Sequence, residues 1–277
     1  MEKNKIHNFI NKESFVASKK MGQNFLHSME IKKRIVQSAN LVNDDVVIEI
    51  GPGLGSITEI ILETNHNLLA IELDKRLFVF LKERFANYNN FQIINNDVLK
   101  VDLDKILLEK FPKNSNFVMI ANLPYSISSK IVLQIMKSEL LSRSIIMVQK
   151  EMADRICAKY NTPNYNAFSA LVDLCLNVKH LFNVKPQNFV PVPKVDSSVI
   201  MIEKNRKLPL NDITEIDNFL KLCFHNRRKT LFNNLSYKFD KSMIIEKITA
   251  LNLDLKIRAQ QLPPLVLYEV YKSFYEK

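Results

Sequence analysis

Four times between residues 46 and 135 a short apolar run is followed by apolar residues at helical spacing, and this repetition restricts the fold more than any other feature. Residues 46–50 (VVIEI) end in a glycine-rich turn, after which Ile57, Ile60 and Ile61 recur at i, i+3 and i+4. LLAIE (68–72) and FQIIN (91–95) each precede a helical stretch, and FVMIAN (117–122) precedes Ile131, Val132 and Ile135. Near-continuous Val/Ile/Leu runs alternating with helices are the mark of parallel strands buried on both faces. The expectation is a doubly wound, Rossmann-like α/β sheet.

SIIMVQ (144–149) extends that sheet, and the two later runs 176–184 and 195–203 flank a proline-bearing loop too short for a crossover helix. They are expected to pair antiparallel. Beyond residue 204 no strand-like run follows, while Phe219, Leu222 and Cys223 sit at helical spacing. Two domains are expected, 1–205 and a small helical one at 206–277, with an amphipathic helix at 30–39 behind an unpatterned arm. Residues 1–12 are polar and no run of about 18 apolar residues exists, so a soluble, cytoplasmic protein is expected. Cys157, Cys175 and Cys223 are odd in number and far apart, and no histidines stand at ligand spacing. Neither disulfides nor a metal is expected. A formal net charge of +10 favours a polyanionic partner.

The turn Glu49-Ile50-Gly51-Pro52-Gly53-Leu54-Gly55 lets the backbone turn tightly and a ligand approach closely. It departs from the dinucleotide fingerprint at Ser56, and its acid followed by GxGxG is similar to the methyltransferase turn. Glu72 ends the next strand, where a carboxylate accepts from both ribose hydroxyls of either NAD or S-adenosylmethionine. Asp97 follows the third strand, placed to accept from an adenine amine, with Val98 beside the ring. Taken singly, either acid reads equally well as a solvated turn carboxylate; in order at three strand ends they describe one ligand edge.

Asn122-Leu123-Pro124-Tyr125 ends the fourth strand. An adenine amine is a poor nucleophile because its lone pair is delocalised, so methyl transfer requires acceptors that favour a pyramidal nitrogen. The Asn122 side-chain carbonyl and the Leu123 backbone carbonyl supply two, Pro124 stiffens the turn, and Tyr125 offers a ring to the base. Phe189, between the two late strands, is either a second wall for an unstacked base or a ring plugging the core. Arg227-Arg228-Lys229 and Lys19-Lys20 are candidate RNA phosphate contacts or solvated basic faces.

Together MGQNFL (21–26), EIGPGLG, NLPYSIS, FVPVPKVDSSV and FHNRRKTLFNNL (224–235) resemble the ribosomal RNA adenine N6-dimethyltransferases of the small-subunit branch. The resemblance covers nearly the whole chain. It implies S-adenosylmethionine as cofactor and the N6 amines of two adjacent adenosines in the 3′-terminal hairpin of small-subunit rRNA as target, met either in free rRNA or in the immature small subunit; nothing in the sequence points to an obligate dimer, and a monomer is expected. It also implies that Asn122 serves both cofactor and amine, and that Tyr125 and Phe189 flank the base. The candidate cofactor set is Gln23, Asn24, Leu26, Glu49, Gly51, Gly53, Glu72, Leu73, Asp97, Val98 and Asn122. Ser126, Ser129 and Lys130 depart from the family pattern around the catalytic motif. The rival readings are an NAD-dependent oxidoreductase, a large-subunit methylase of the macrolide-resistance type, and a non-catalytic ribosome assembly factor.

Overall fold

The computed structural model describes residues 23–205 and 213–275. They form two compact units, one from the described parts of Met1–Ala153 with Lys179–Lys204, the other from Asp154–Val178 with the described parts of Asn205–Lys277.

The strands are β1 (Phe25–Leu26), β2 (Asp45–Ile50), β3 (Asn67–Glu72), β4 (Phe91–Asn95), β5 (Asn116–Asn122), β6 (Leu141–Gln149), β7 (Leu176–Val184), β8 (Phe189–Val190) and β9 (Ser197–Lys204). Seven of them make one sheet in the order β4-β3-β2-β5-β6-β9-β7. β2 runs parallel to β3 and to β5, β3 to β4, and β5 to β6. The expected doubly wound sheet is present, and the two late runs are neighbours in it, with β9 antiparallel to β6. Val47, Ile48, Leu68, Leu69, Val118, Met119 and Ile120 are fully buried, because helices cover both faces of the parallel strands.

Strand order reverses between β2 and β5. Chain leaving β2 turns toward β3, and the chain that returns to β5 lies on the other side, so a crevice opens at the carboxyl ends of these two strands. Register places the chemistry there. Ile50 pairs with Ala121 and with Ile71, so Gly51, Asn122 and Glu72 emerge side by side, while Glu72 pairs with Asn95 two residues ahead of Asp97.

Three of the four glycines in the chain stand in the turn after β2, with φ of +64° at Gly51, +61° at Gly53 and +74° at Gly55. Two of them serve different ends. A Cβ at Gly55 would lie 2.6 Å from the Phe85 ring and 2.7 Å from Leu81, so Gly55 lets the helix Lys75–Arg84 pack against the turn. At Gly51 a Cβ would meet nothing within 4 Å; the space beside it is the crevice.

β1 and β8 form a separate two-stranded antiparallel sheet, Phe25 opposite Val190 and Leu26 opposite Phe189. This pairing joins the end of the supposedly unpatterned arm to the loop between the late strands, a contact with no local sequence signal.

In the second unit the helices Ala167–Cys175, Ile213–Cys223, Leu231–Leu235, Lys241–Ala250 and Pro264–Tyr275 pack around buried Phe219, Leu231, Ile244 and Leu267. Among the described residues no strand follows Lys204. A single boundary near residue 205 was expected; residues 154–178 also belong to this unit. Helix Ala167–Cys175 packs on Ile213–Cys223, and the Asn205 amide donates to the Cys175 carbonyl at 3.0 Å. Burying those two apolar faces against each other draws the earlier helix out of the α/β unit. Among the described residues no helix is long and apolar enough to cross a membrane.

Candidate active site

A cavity of about 390 Å³ opens at the reversal point of the sheet. Every cofactor and catalytic candidate read from the sequence lines it, from Gln23, Asn24 and Leu26 through Glu49, Gly51, Gly53, Glu72, Leu73, Asp97 and Val98 to Asn122, Leu123, Pro124, Tyr125 and Phe189. Its volume falls in the range of small-molecule sites, roughly 300–1,000 Å³.

Asn122 closes β5 with its amide held in one orientation: Nδ2 donates to the Asn24 carbonyl at 3.3 Å, which leaves Oδ1 as the free acceptor. The following backbone is pinned at two points. Leu123 N–H donates to the Met147 carbonyl at 3.0 Å, and the Pro124 carbonyl accepts from Ile127 N–H at 3.1 Å. No donor among the described residues reaches the Leu123 carbonyl, so a second acceptor is present on a rigid turn. The Tyr125 hydroxyl lies 3.2 Å from Ser197 Oγ, which ties its ring to the start of β9. Phe189 lines the cavity and is also 1% exposed within the main core cluster, so its ring packs in the core.

The acids differ in environment. Glu72, almost fully buried, accepts from Gly53 N–H at 3.3 Å and from Asp74 N–H at 2.8 Å. Burial pushes its pKa up to about 7, against the pull of those two amides. Glu49 is held at about 8, first by burial and also by the neighbouring Glu72 charge, although the Thr58 hydroxyl donates to it at 2.6 Å. Asp97 instead caps the short turn Val98–Lys100, accepting from Leu99 N–H at 3.0 Å.

Three supporting side chains were not read from the sequence. Thr58 holds Glu49. Asp74 caps its helix, takes Arg76 at 2.6 Å and accepts from Gln23 Nε2 at 3.1 Å, which fastens the arm beside Glu72, to which the Asp74 N–H donates. Gln134 Nε2 donates to the Val98 carbonyl at 2.6 Å from the helix that follows the Asn122 turn. Each is an ordinary polar residue near a helix start or on a helix face, and its link to the site comes from another segment: β2 for Thr58, the arm for Asp74 and the Val98 turn for Gln134.

A family model described as "Ribosomal RNA adenine dimethylase" matches residues 14–276. The chain belongs to the ribosomal RNA adenine dimethylase family. It is 50% identical over 273 residues to the "Ribosomal RNA small subunit methyltransferase A" of Ureaplasma urealyticum, covering 98% of this chain and 97% of that one. It is 47% identical over 245 residues to the protein of the same name from Malacoplasma penetrans, covering 88% and 87%. Among solved structures it is similar to a dimethyladenosine transferase from Plasmodium falciparum, with a TM-score of 0.76, 26% identity and coverage of 90% and 97%. Membership in this dimethylase family makes the chain a methyltransferase and removes the oxidoreductase reading.

The basic candidates of the family's C-terminal segment divide on inspection. Arg227 donates from Nη1 to the Tyr165 carbonyl at 2.5 Å and from Nη2 to the Thr162 carbonyl at 2.9 Å. Its guanidinium joins the loop before helix Ala167–Cys175 to the turn after Ile213–Cys223, a use the sequence reading did not foresee. Arg228 and Lys229 are exposed, with no side-chain partner among the described residues. Lys19 and Lys20 lie outside the described residues. Among the described residues no group of three or more His, Cys, Asp or Glu side chains is arranged to hold a metal ion.

Proposed function

We propose that the protein transfers methyl groups from S-adenosylmethionine to the N6 amines of two adjacent adenosines in the 3′-terminal hairpin of small-subunit rRNA, two to each, during subunit assembly. The small-subunit target is taken from the names of the relatives described above and not from the cavity, whose chemistry suits any adenine amine. Those names favour it over the large-subunit reading.

The residues fit the cofactor. Glu72 stands where paired ribose hydroxyls can donate to it, Asp97 and Val98 where the adenine would lie, and the open space beside Gly51 admits the methionine end against bare backbone. When bound, S-adenosylmethionine supplies a sulfonium methyl: the new C–N6 bond forms as the S–CH₃ bond breaks, and its electron pair leaves with the thioether.

The single observation that carries the reading is the Asn122 turn, with its amide oriented by Asn24 and its backbone pinned by Met147. Asn122 Oδ1 and the Leu123 carbonyl accept the two amine hydrogens and draw the nitrogen toward a pyramidal geometry, freeing its lone pair. Because both acceptors are preset, no reorganisation is needed as the transition state forms. The amine proton becomes acidic once nitrogen is alkylated and passes to water, so no strong base is required. A monomethylated amine has one hydrogen left, so the second transfer uses only one acceptor.

Mass mapping of nucleotides after incubation with immature small subunits and labelled cofactor tests this. Two adjacent N6,N6-dimethyladenosines are expected near the 3′ end; label absent from adenine, or confined to large-subunit RNA, overturns the proposal.

A further inference from the structure

The turn that carries Arg228 and Lys229 also holds His225 against Tyr237, which follows the next helix, in an exposed ring pair for which the catalytic cavity has no use. Tyr237 is 65% exposed, more than any other large apolar or aromatic side chain among the described residues. Its ring meets that of exposed His225 edge-on, with centroids 4.8 Å apart and planes at 63°. Its hydroxyl has no partner among the described residues.

This arrangement is built. Asn234, 1% exposed, donates from Nδ2 to the carbonyls of Cys223 at 2.7 Å and Asn226 at 3.1 Å, and its Oδ1 accepts from Asn226 N–H at 3.1 Å. One buried amide thus clamps the turn at 223–226 onto the helix Leu231–Leu235, and so sets His225 beside Tyr237. Asn226 Oδ1 accepts from Arg228 N–H at 3.0 Å, and the Asn226 carbonyl from Lys229 N–H at 3.0 Å, which carries both cations on the same rigid turn. No acid stands between Asp217 and Asp240, and Asp217 is already paired with Lys221 at 2.6 Å. The other cations of the segment are committed to the fold: Arg227 to two carbonyls, and Lys238 to the Tyr275 hydroxyl at 2.8 Å.

We propose that Tyr237 and His225 form a stacking platform for an unpaired RNA nucleotide, with Arg228 and Lys229 holding the flanking phosphates. The proposal rests on the reading of the protein as an rRNA methyltransferase, and it assigns to the second unit a contact that reads single-stranded RNA. A tyrosine face suits any base, while two adjacent cations suit consecutive phosphates.

The test is equilibrium binding of the full chain to a labelled RNA hairpin with unpaired purines and to a fully paired control, each across a salt series. Tyr237→Ala should weaken binding to the unpaired hairpin by about tenfold or more, leave the slope of log Kd against log salt unchanged, and barely affect the duplex. Tyr237→Phe should bind as the parent does. Arg228→Ala with Lys229→Ala should flatten the slope by nearly one unit per lost phosphate contact. Parent-like affinity of Tyr237→Ala for the unpaired hairpin, an equal loss on both RNAs, or a slope change matching the double variant would each overturn the platform. A methylation assay on the parent protein separates the two readings: a parent that methylates, paired with a Tyr237→Ala variant that binds normally, removes the platform alone. A parent that methylates no RNA adenine removes the functional reading instead.

Discussion

As the proposed ribose acceptor, Glu72 should make the affinity for cofactor depend on pH, by an amount that its titration sets. In the free protein its carboxyl titrates at about 7 because it is buried, so at pH 7 about half the molecules carry a neutral Glu72. Two ribose hydroxyls donate best to an ionised carboxylate, so binding should draw its pKa down and hold the bound form ionised across the range tested. The apparent Kd then scales with one plus the proton concentration over the acid constant. Between pH 8 and pH 6 it should rise about tenfold, and binding at pH 7 should release about half a proton. Glu49, held at about 8, stays neutral over most of this range and should contribute little. Calorimetric titration with S-adenosylmethionine in buffers of differing ionisation enthalpy measures both quantities. Glu72→Gln should bind more weakly and lose the dependence, while Glu49→Gln keeps it. A pH-independent Kd, or the same slope in Glu72→Gln, would show that this carboxylate does not hold the ribose. The sign for folding is opposite. Unfolded carboxyls ionise above about 4.5 whereas these two stay protonated up to about 7 and 8, so the stability present in acid declines as pH rises through those values. The free protein should melt at lower temperature at pH 8 than at pH 5, and saturating cofactor should narrow the gap.

Asn122→Ala should lower kcat by about a hundredfold or more while leaving RNA affinity near that of the parent; single-turnover rates and filter binding separate the two, and unchanged turnover would sink the acceptor argument. Arg227→Ala should cost about 1–3 kcal/mol of stability by removing charged donors from two carbonyls, seen as a lower denaturation midpoint, with the salt slope of RNA binding nearly unchanged. A flattened slope at parental stability would return Arg227 to the phosphate contacts. Gly55→Ala and Gly51→Ala share the cost of a positive φ, but only the former drives a Cβ into Phe85 and Leu81. The first should therefore lose several kcal/mol of stability, and the second chiefly cofactor affinity, as thermal melts with and without cofactor would show.

Much of the site was legible because its chemistry lies at strand ends, where local pattern and local chemistry coincide. The period change after residue 50, the positive-φ turn and the Asn122 motif each occupy a few consecutive residues. Arg227 shows where that reading stops. As sequence it is a basic residue in a basic run, and nothing local distinguishes a guanidinium facing phosphate from one facing the carbonyls of Thr162 and Tyr165 more than sixty residues away.

By itself, then, the sequence determined the succession of strands and helices, the glycine turn and the place of the Asn122 motif at a strand end, since apolar period and φ preference act over one turn or strand. Tertiary structure decided the rest. Strand order β4-β3-β2-β5 set Gly51, Glu72 and Asn122 around one crevice, and the pairing of Phe25–Leu26 with Phe189–Val190 brought Asn24 onto the Asn122 amide. Burial first, and neighbouring carboxylates second, turned Glu49 and Glu72 from ordinary carboxylates into groups that titrate near neutrality. Desolvation and strand pairing depend on what distant segments cover, and that information has no address in the residues themselves.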